Sequence, residues 1–236
     1  MATRLLEGEG ELNFLDRLAR TTGRRTFLHW AGLTIGVVAL GCSDDNGTEP
    51  PPGDGEVNLG AGDTGILNYA YALEQLEAAF YTQVLLGAYF TGAPAGEKEI
   101  LTDIKNHEVI HRDFLKAALG TAAIANLEVT FATVDMANRT KVLEAARTFE
   151  DLGVSAYNGA GKLLTVAANL LTAGKIVSVE ARHAAAIRDL IVPFSFAGSD
   201  VVDAMGLDKA NTPTAVLTAA DSFITTTINA SQLPTA

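Results

Sequence analysis

Apolar residues recur every three to four positions along four long stretches of this chain, the period of an amphipathic helix. The first stretch runs from near Asp63 or Thr64, side chains suited to an N-cap, to Leu86 and stops at Gly87. Its stripe is Leu67, Tyr71, Glu74, Ala78, Tyr81 and Leu85. The second runs from about Ala95 to Leu119, with Leu101, Ile104, Glu108, His111 and Leu115 on one face, and ends at Gly120. The third extends from about Asn138 to about Leu171, with Leu143, Glu150, Tyr157 and Leu164 facing inward. The fourth, from Lys175 to Leu190, contains neither Pro nor Gly and aligns Ile176, Glu180, His183, Ile187 and Leu190. Residues 121–138 carry β-branched side chains and no helical stripe, so they read as a long crossover between helices two and three.

Each stripe holds an acid where an apolar residue belongs. An unpaired carboxylate on a core face is very costly, so it is neutralised, paired or bound to a metal. The misplaced residues also repeat. Glu74 and Tyr81 precede Glu108-Val-Ile-His111, and Glu150 and Tyr157 precede Glu180-Ala-Arg-His183, with a Glu-to-Tyr spacing of seven in both halves. Glu-x-x-His puts both side chains on one helical face a turn apart. The order E, ExxH, E, ExxH is what a four-helix bundle uses to hold two metal ions between its helices. Four carboxylates and two neutral imidazoles would also balance two divalent cations, whereas six unmatched polar groups would disrupt the core.

Glu77 lies one turn from Glu74 on nearly the same face and is the alternative to it. Aligning Glu74 with Glu150 sets Tyr81 on Tyr157 and leaves Glu77 opposite Gly153 without a counterpart, which favours Glu74. Tyr81 and Tyr157 are placed to donate hydrogen bonds to ligands or to relay electrons; aromatic packing accounts for them equally well. His107-Glu-Val-Ile-His111 also matches the HExxH helix of zinc peptidases. Phe114 stands where the extended form of that motif has Gly, and a peptidase leaves Glu74, Glu150, Glu180 and His183 unexplained. His107 is about 100° around the helix from Glu108 and reads as a solvated or packing side chain.

The segments NYAYALEQLEAAFY (68–81), HEVIHRDFL (107–115) and VSVEARH (177–183) resemble the ferritin-like superfamily, and within it the exported proteins related to plant desiccation-associated proteins. The resemblance implies an all-α fold: a ferritin-like four-helix bundle with a long crossover and a C-terminal helical extension. It also implies a di-iron or di-manganese carboxylate site. Glu108 and Glu180 would bridge or flank the metals, His111 and His183 would cap one each, and Glu74 and Glu150 would be terminal ligands. Ferrous iron, dioxygen or peroxide are then the expected reaction partners. A manganese catalase-like enzyme and a non-catalytic stress-protection protein stabilised by metal are the alternatives.

Composition adjusts this picture at the ends. Thr22-Gly-Arg-Arg-Thr-Phe-Leu-His29, the apolar run to Leu40 and Gly41-Cys42 resemble a twin-arginine export signal closed by a lipoprotein processing box. The apolar run is shorter than the roughly 20 residues of a membrane span. Residues 1–42 are therefore expected to be an export signal with Cys42 lipidated, and residues 43–62, acidic and rich in Gly and Pro, a flexible linker. Residues 63–192 form the bundle and residues 193–236 the extension, with Thr212-Pro213 starting its last helix. The formal net charge of -11 argues against a nucleic-acid partner, and one cysteine excludes an intrachain disulfide. Without residues 1–41 the chain keeps 12 basic against 24 acidic residues, so membrane attachment would run through the lipid rather than through charge. The protein is thus expected outside the cytoplasm, periplasmic or on the cell surface.

Overall fold

A computed structural model describes residues 55–235. The twin-arginine-like signal, Cys42 and most of the linker lie outside these residues. Among the described residues no helix is long and apolar enough to cross a membrane.

Four long helices form the body: α1 (Gly62–Leu86), α3 (Ala95–Leu119), α4 (Arg139–Gly161) and α5 (Ala167–Ile191), with a one-turn helix α2 (Ala88–Gly92) between the first two. The fold is all-α, as the stripes require. α1 packs chiefly on α3 and α4 on α5, and the pairs meet through α1 against α4 and α3 against α5. α3 shows the clearest one-sided burial, with only Leu101, Ile104, Glu108, His111 and Leu115 buried, the five residues of its sequence stripe. α1 is covered on nearly every side, because the crossover and the chain ends lie over its outer face.

Hydrogen bonds from two buried amides pin the crossover to α1. Asn68 donates to the carbonyls of Leu59 and Ala122 and accepts from Ile124 N–H, while Gln75 Oε1 accepts from Leu127 N–H at 2.8 Å. Ile124, Leu127 and Phe131 then enter the core, where Phe80, Phe131, Phe149 and Phe223 meet edge to face.

Three boundaries differ from the sequence expectation. The third helix ends at Gly161 instead of near Leu171, and the fourth starts at Ala167 instead of Lys175. The apolar pattern continues through Leu163 and Leu164, which still pack on the core, so periodicity alone sees no break. The break comes from Asp63, whose carboxylate accepts Thr165 N–H, Thr165 Oγ1–H, Val166 N–H and Asn169 Nδ2–H. Asp63 thus holds the start of α5 rather than capping its own helix, whose N-cap, Ala61, makes no side-chain hydrogen bond.

The linker ends sooner than expected. Val57–Asn58 forms strand β1, paired in parallel with β2 (Ile228–Asn229), and Leu59 is fully buried. The extension is less helical than expected. Its one α-helix, α6 (Pro213–Ala220), begins at Pro213 under a Thr212 cap, but residues 193–212 are turns and a single bridge, Val202 to Asp208. Asp203 stabilises that turn by accepting the N–H groups of Met205 and Leu207. Further on, Asn211 crosses α4 so closely that a Cβ on Gly159 would lie 1.7 Å from its carbonyl oxygen.

Candidate metal centre

The four long helices deliver their misplaced acids to one point. Glu74 from α1, Glu108 from α3, Glu150 from α4 and Glu180 from α5 are all 0% exposed. His111 and His183, one turn beyond Glu108 and Glu180, are buried beside them. Ligand atoms of Glu74, Glu108, His111 and Glu180 lie within 4.8 Å of one another, and so do those of Glu108, Glu150, Glu180 and His183. Glu108 and Glu180 belong to both groups.

The arrangement has an approximate two-fold symmetry that follows the repeat. His111 Nδ1 is 2.9 Å from Glu180, 3.5 Å from Glu74 and 3.8 Å from Glu108. His183 Nδ1 is 2.8 Å from Glu108, 3.4 Å from Glu150 and 3.9 Å from Glu180. These distances are short, yet the contacts lack hydrogen-bond alignment. Both histidine Nδ1 atoms, both oxygens of Glu108 and Glu180, Glu74 Oε2 and Glu150 Oε2 are buried without a hydrogen-bond partner. Eight such atoms in one place is far from the normal state of a protein interior. They converge on shared points between them, as ligands do.

The outer oxygens are occupied. Tyr157 donates to Glu74 Oε1 at 2.5 Å and Tyr81 donates to Glu150 Oε1 at 2.6 Å, so each half orients the other half's unshared carboxylate. The inner oxygens are thereby left facing the centre.

Electrostatics show what happens when protons alone must balance this cluster. Burial disfavours charge on His111, but Glu108, Glu180 and Glu74 outweigh it and hold the imidazolium up to about 12. His183 is held up to about 10 against the same burial by Glu108 and Glu150. Burial also raises Glu108, but the two histidines prevail and bring it down to about 2. Burial dominates for Glu74, raised to about 7, and for Glu150 and Glu180, both raised, the latter strongly. The donor set is carboxylate and imidazole without thiolate, which suits iron, manganese or zinc. Divalent ions fit here because they would replace the protons and satisfy the eight atoms together.

Glu77 belongs to neither ligand group. It is buried, and its carboxylate abuts Gly153, where an added Cβ would sit 2.9 Å from Glu77 Oε1 and 3.6 Å from Glu180 Oε2. Burial and then the neighbouring Glu180 and Glu108 carboxylates push its pKa well up. The residue without a counterpart in the repeat therefore fills the space its opposite glycine leaves. His107 is exposed, as its position on α3 implies, but it also hydrogen-bonds to His183: its Nδ1 is 2.9 Å from His183 Nε2. Sequence spacing on one helix carries no signal for that contact across helices. The HExxH reading fails on this geometry, because Glu108 stands among the ligand groups and His107 stands outside both.

Residues 62–193 match the family model of the ferritin-like domain. The match covers more than half of the chain, and the chain belongs to the ferritin-like family. A search of curated proteins returned no match.

Proposed function

We propose that this ferritin-like protein binds two transition-metal ions, iron first and manganese as the alternative, and acts in redox chemistry on ferrous iron, dioxygen or peroxide. The observation that carries the reading is the pair of four-residue groups sharing Glu108 and Glu180, with eight buried atoms unsatisfied. Glu74 and His111 would complete one position, Glu150 and His183 the other. A bound pair would supply one-electron redox steps and Lewis acidity.

The chain's own contribution is orientation, charge and dryness. Tyr81 and Tyr157 fix the rotation of Glu150 and Glu74, so that one oxygen of each faces inward. Four carboxylates match the charge of two divalent ions, and all four are 0% exposed, which keeps the centre away from bulk water. His111 and His183 would give up their extra protons when an ion is bound and would then present neutral Nδ1 atoms.

Metal analysis of the full chain purified from its native compartment, followed by stopped-flow Fe(II) oxidation, tests this. Two iron ions per chain with rapid Fe(II) oxidation is the expected result. Manganese with O2 release from peroxide selects the catalase-like alternative, and metal that stabilises without turnover selects the stress-protection alternative. No transition metal, together with a Glu180→Ala chain of unchanged stability, overturns the site.

The same proposal places the protein outside the cytoplasm, exported by the twin-arginine-like segment and anchored through Cys42. Export of a folded chain would let the site fill before it meets copper and zinc, which outcompete iron and manganese for such ligands. A Cys42→Ala chain that still partitions with membranes would remove the lipid anchor.

A further inference from the structure

We infer that His107 is a positioning residue for His183, and that it makes the two metal positions unequal in affinity. The inference rests on the dinuclear reading above. His107 sits one residue before Glu108 on α3, turned away from the ligand groups and toward α5. Its Nδ1 lies 2.9 Å from His183 Nε2, and the two rings are parallel within 8° at a centroid distance of 5.1 Å. His183 therefore has both nitrogens assigned: Nδ1 faces Glu108 and Glu150 in the centre, and Nε2 faces His107.

A neutral imidazole carries one N–H, so a His183 that offers its Nδ1 lone pair to a metal keeps its hydrogen on Nε2. That hydrogen is donated to His107 Nδ1, with the hydrogen of His107 on its own Nε2 toward the exposed side. The bond selects the tautomer of His183 that can ligate and fixes the plane of its ring. Partners of this kind behind a ligating histidine are commonly carboxylates or backbone carbonyls; here the partner is an exposed imidazole.

Among the described residues the other half shows no such bond. The position that corresponds to His107, one residue before Glu180, is Val179, whose side chain has neither donor nor acceptor. His111 must hold its tautomer without the support His183 receives. The pseudo-symmetric ligand set is thus backed asymmetrically, and the position completed by Glu150 and His183 is the tighter one.

The test is a Mn(II) titration of the metal-free full chain, followed by electron paramagnetic resonance, for wild type, His107→Ala and His107→Asn. Wild type binds two ions in distinguishable steps. His107→Ala weakens one step by about 10- to 100-fold, the usual effect of losing such a partner, and leaves the other unchanged. His107→Asn, whose side-chain oxygen falls near the place of Nδ1, restores most of the loss. Equal weakening of both steps, no weakening, or an Asn variant as poor as Ala overturns the inference while leaving the dinuclear site intact. A wild-type chain that binds no Mn(II) or Fe(II) instead removes the dinuclear reading and this inference with it. His107 is exposed, so the variants are expected to fold.

Discussion

The two helix pairs present the same candidate ligands from unlike surroundings. α1 buries sixteen of its residues under the crossover and the chain ends, whereas its counterpart α4 buries twelve. Even so, the histidine-to-carboxylate distances of the two halves agree to within about 0.1 Å. The ligand geometry therefore follows from the repeated helix pair and not from what is wrapped around it. Equivalent positions have diverged outside the centre. Gln75 of the first half holds the crossover, while Asp151 at the matching place binds Arg188 through two bonds of 2.8 and 2.6 Å. Arg188 in turn holds Asp200 of the C-terminal segment.

The largest effect should separate shared from unshared carboxylates. Glu108→Ala or Glu180→Ala removes a ligand from both groups, so either variant is expected to lose both ions. Glu74→Ala and Glu150→Ala are each expected to lose one. An ion at a free concentration a thousandfold above its Kd stabilises by about 4 kcal/mol, so the shared variants should lose close to twice the stabilisation of the unshared ones. Metal per chain and the thermal midpoint with and without chelator measure this. If all four variants behave alike, the halves do not build two positions.

The next effect concerns the one carboxylate that breaks the symmetry. Gly153→Ala would gain about 1 kcal/mol of helix propensity on an open helix, but its Cβ would crowd the Glu77 carboxylate. The substitution should therefore cost about 1–2 kcal/mol more in wild type than in a Glu77→Ala background, a normal coupling for residues in contact. Denaturant unfolding of the four chains of the cycle gives the number. Additive effects would mean that the carboxylate moves aside freely, and that the match between Glu77 and Gly153 is incidental.

Proton linkage gives a pH signature common to both halves. Glu74 is raised from its ordinary 4.5 to about 7, and His111 and His183 are raised from 6.5 to about 12 and about 10. A group raised in the folded state contributes stability that is complete below its unfolded pKa and lost as pH rises through the folded one. Metal-free protein should thus weaken from about pH 4.5 to 7 through Glu74, and again from about pH 6.5 toward 10 through His183. Glu108, lowered to about 2, has the opposite sign and loses its contribution as pH falls from 4.5 toward 2. Bound metal would replace these protons, so the gap between loaded and metal-free midpoints should widen with pH. A gap independent of pH would sever the histidines from the metal.

What the sequence made legible was whatever has a local period. Glu108 and His111, or Glu180 and His183, sit on one face because 3.6 residues make a turn, and the repeat then ties the pairs together. The crossover was equally visible, since residues 121–138 lack the period. Contacts between distant segments leave no such trace. His107 meets His183 across 76 positions, and Asn229 of β2 binds Glu56 beside β1 across 173. The strand pair itself is two residues long on each side, below what alternation can signal. The end of α4 is hidden for the same reason: no Pro interrupts residues 162–166, and the interruption is imposed by a carboxylate 102 positions upstream.

That carboxylate supplies the smallest effect and the sharpest contrast between the halves. Asp63 belongs to the first half by sequence and caps the last helix of the second. Burial opposes its ionisation, but the hydrogen bonds from Thr165, Asn169 and Val166 prevail and lower it from 3.8 to about 2. A lowered carboxyl contributes stability above its unfolded pKa and loses it as pH falls through the folded one, here between about 3.8 and 2. The group is largely solvated, so Asp63→Ala should cost about 1 kcal/mol, as for other lost caps. The loss should be local. Hydrogen exchange is expected to speed up in the first turns of α5, from Ala167, while Glu180 and His183, more than three turns further on, keep their protection and their metal. Asn in place of Asp63 keeps one acceptor oxygen and should recover part of the protection. If Asp63→Ala weakens metal binding as much as it frays the helix start, α5 moves as one rigid element, and the centre depends on its wrapping after all.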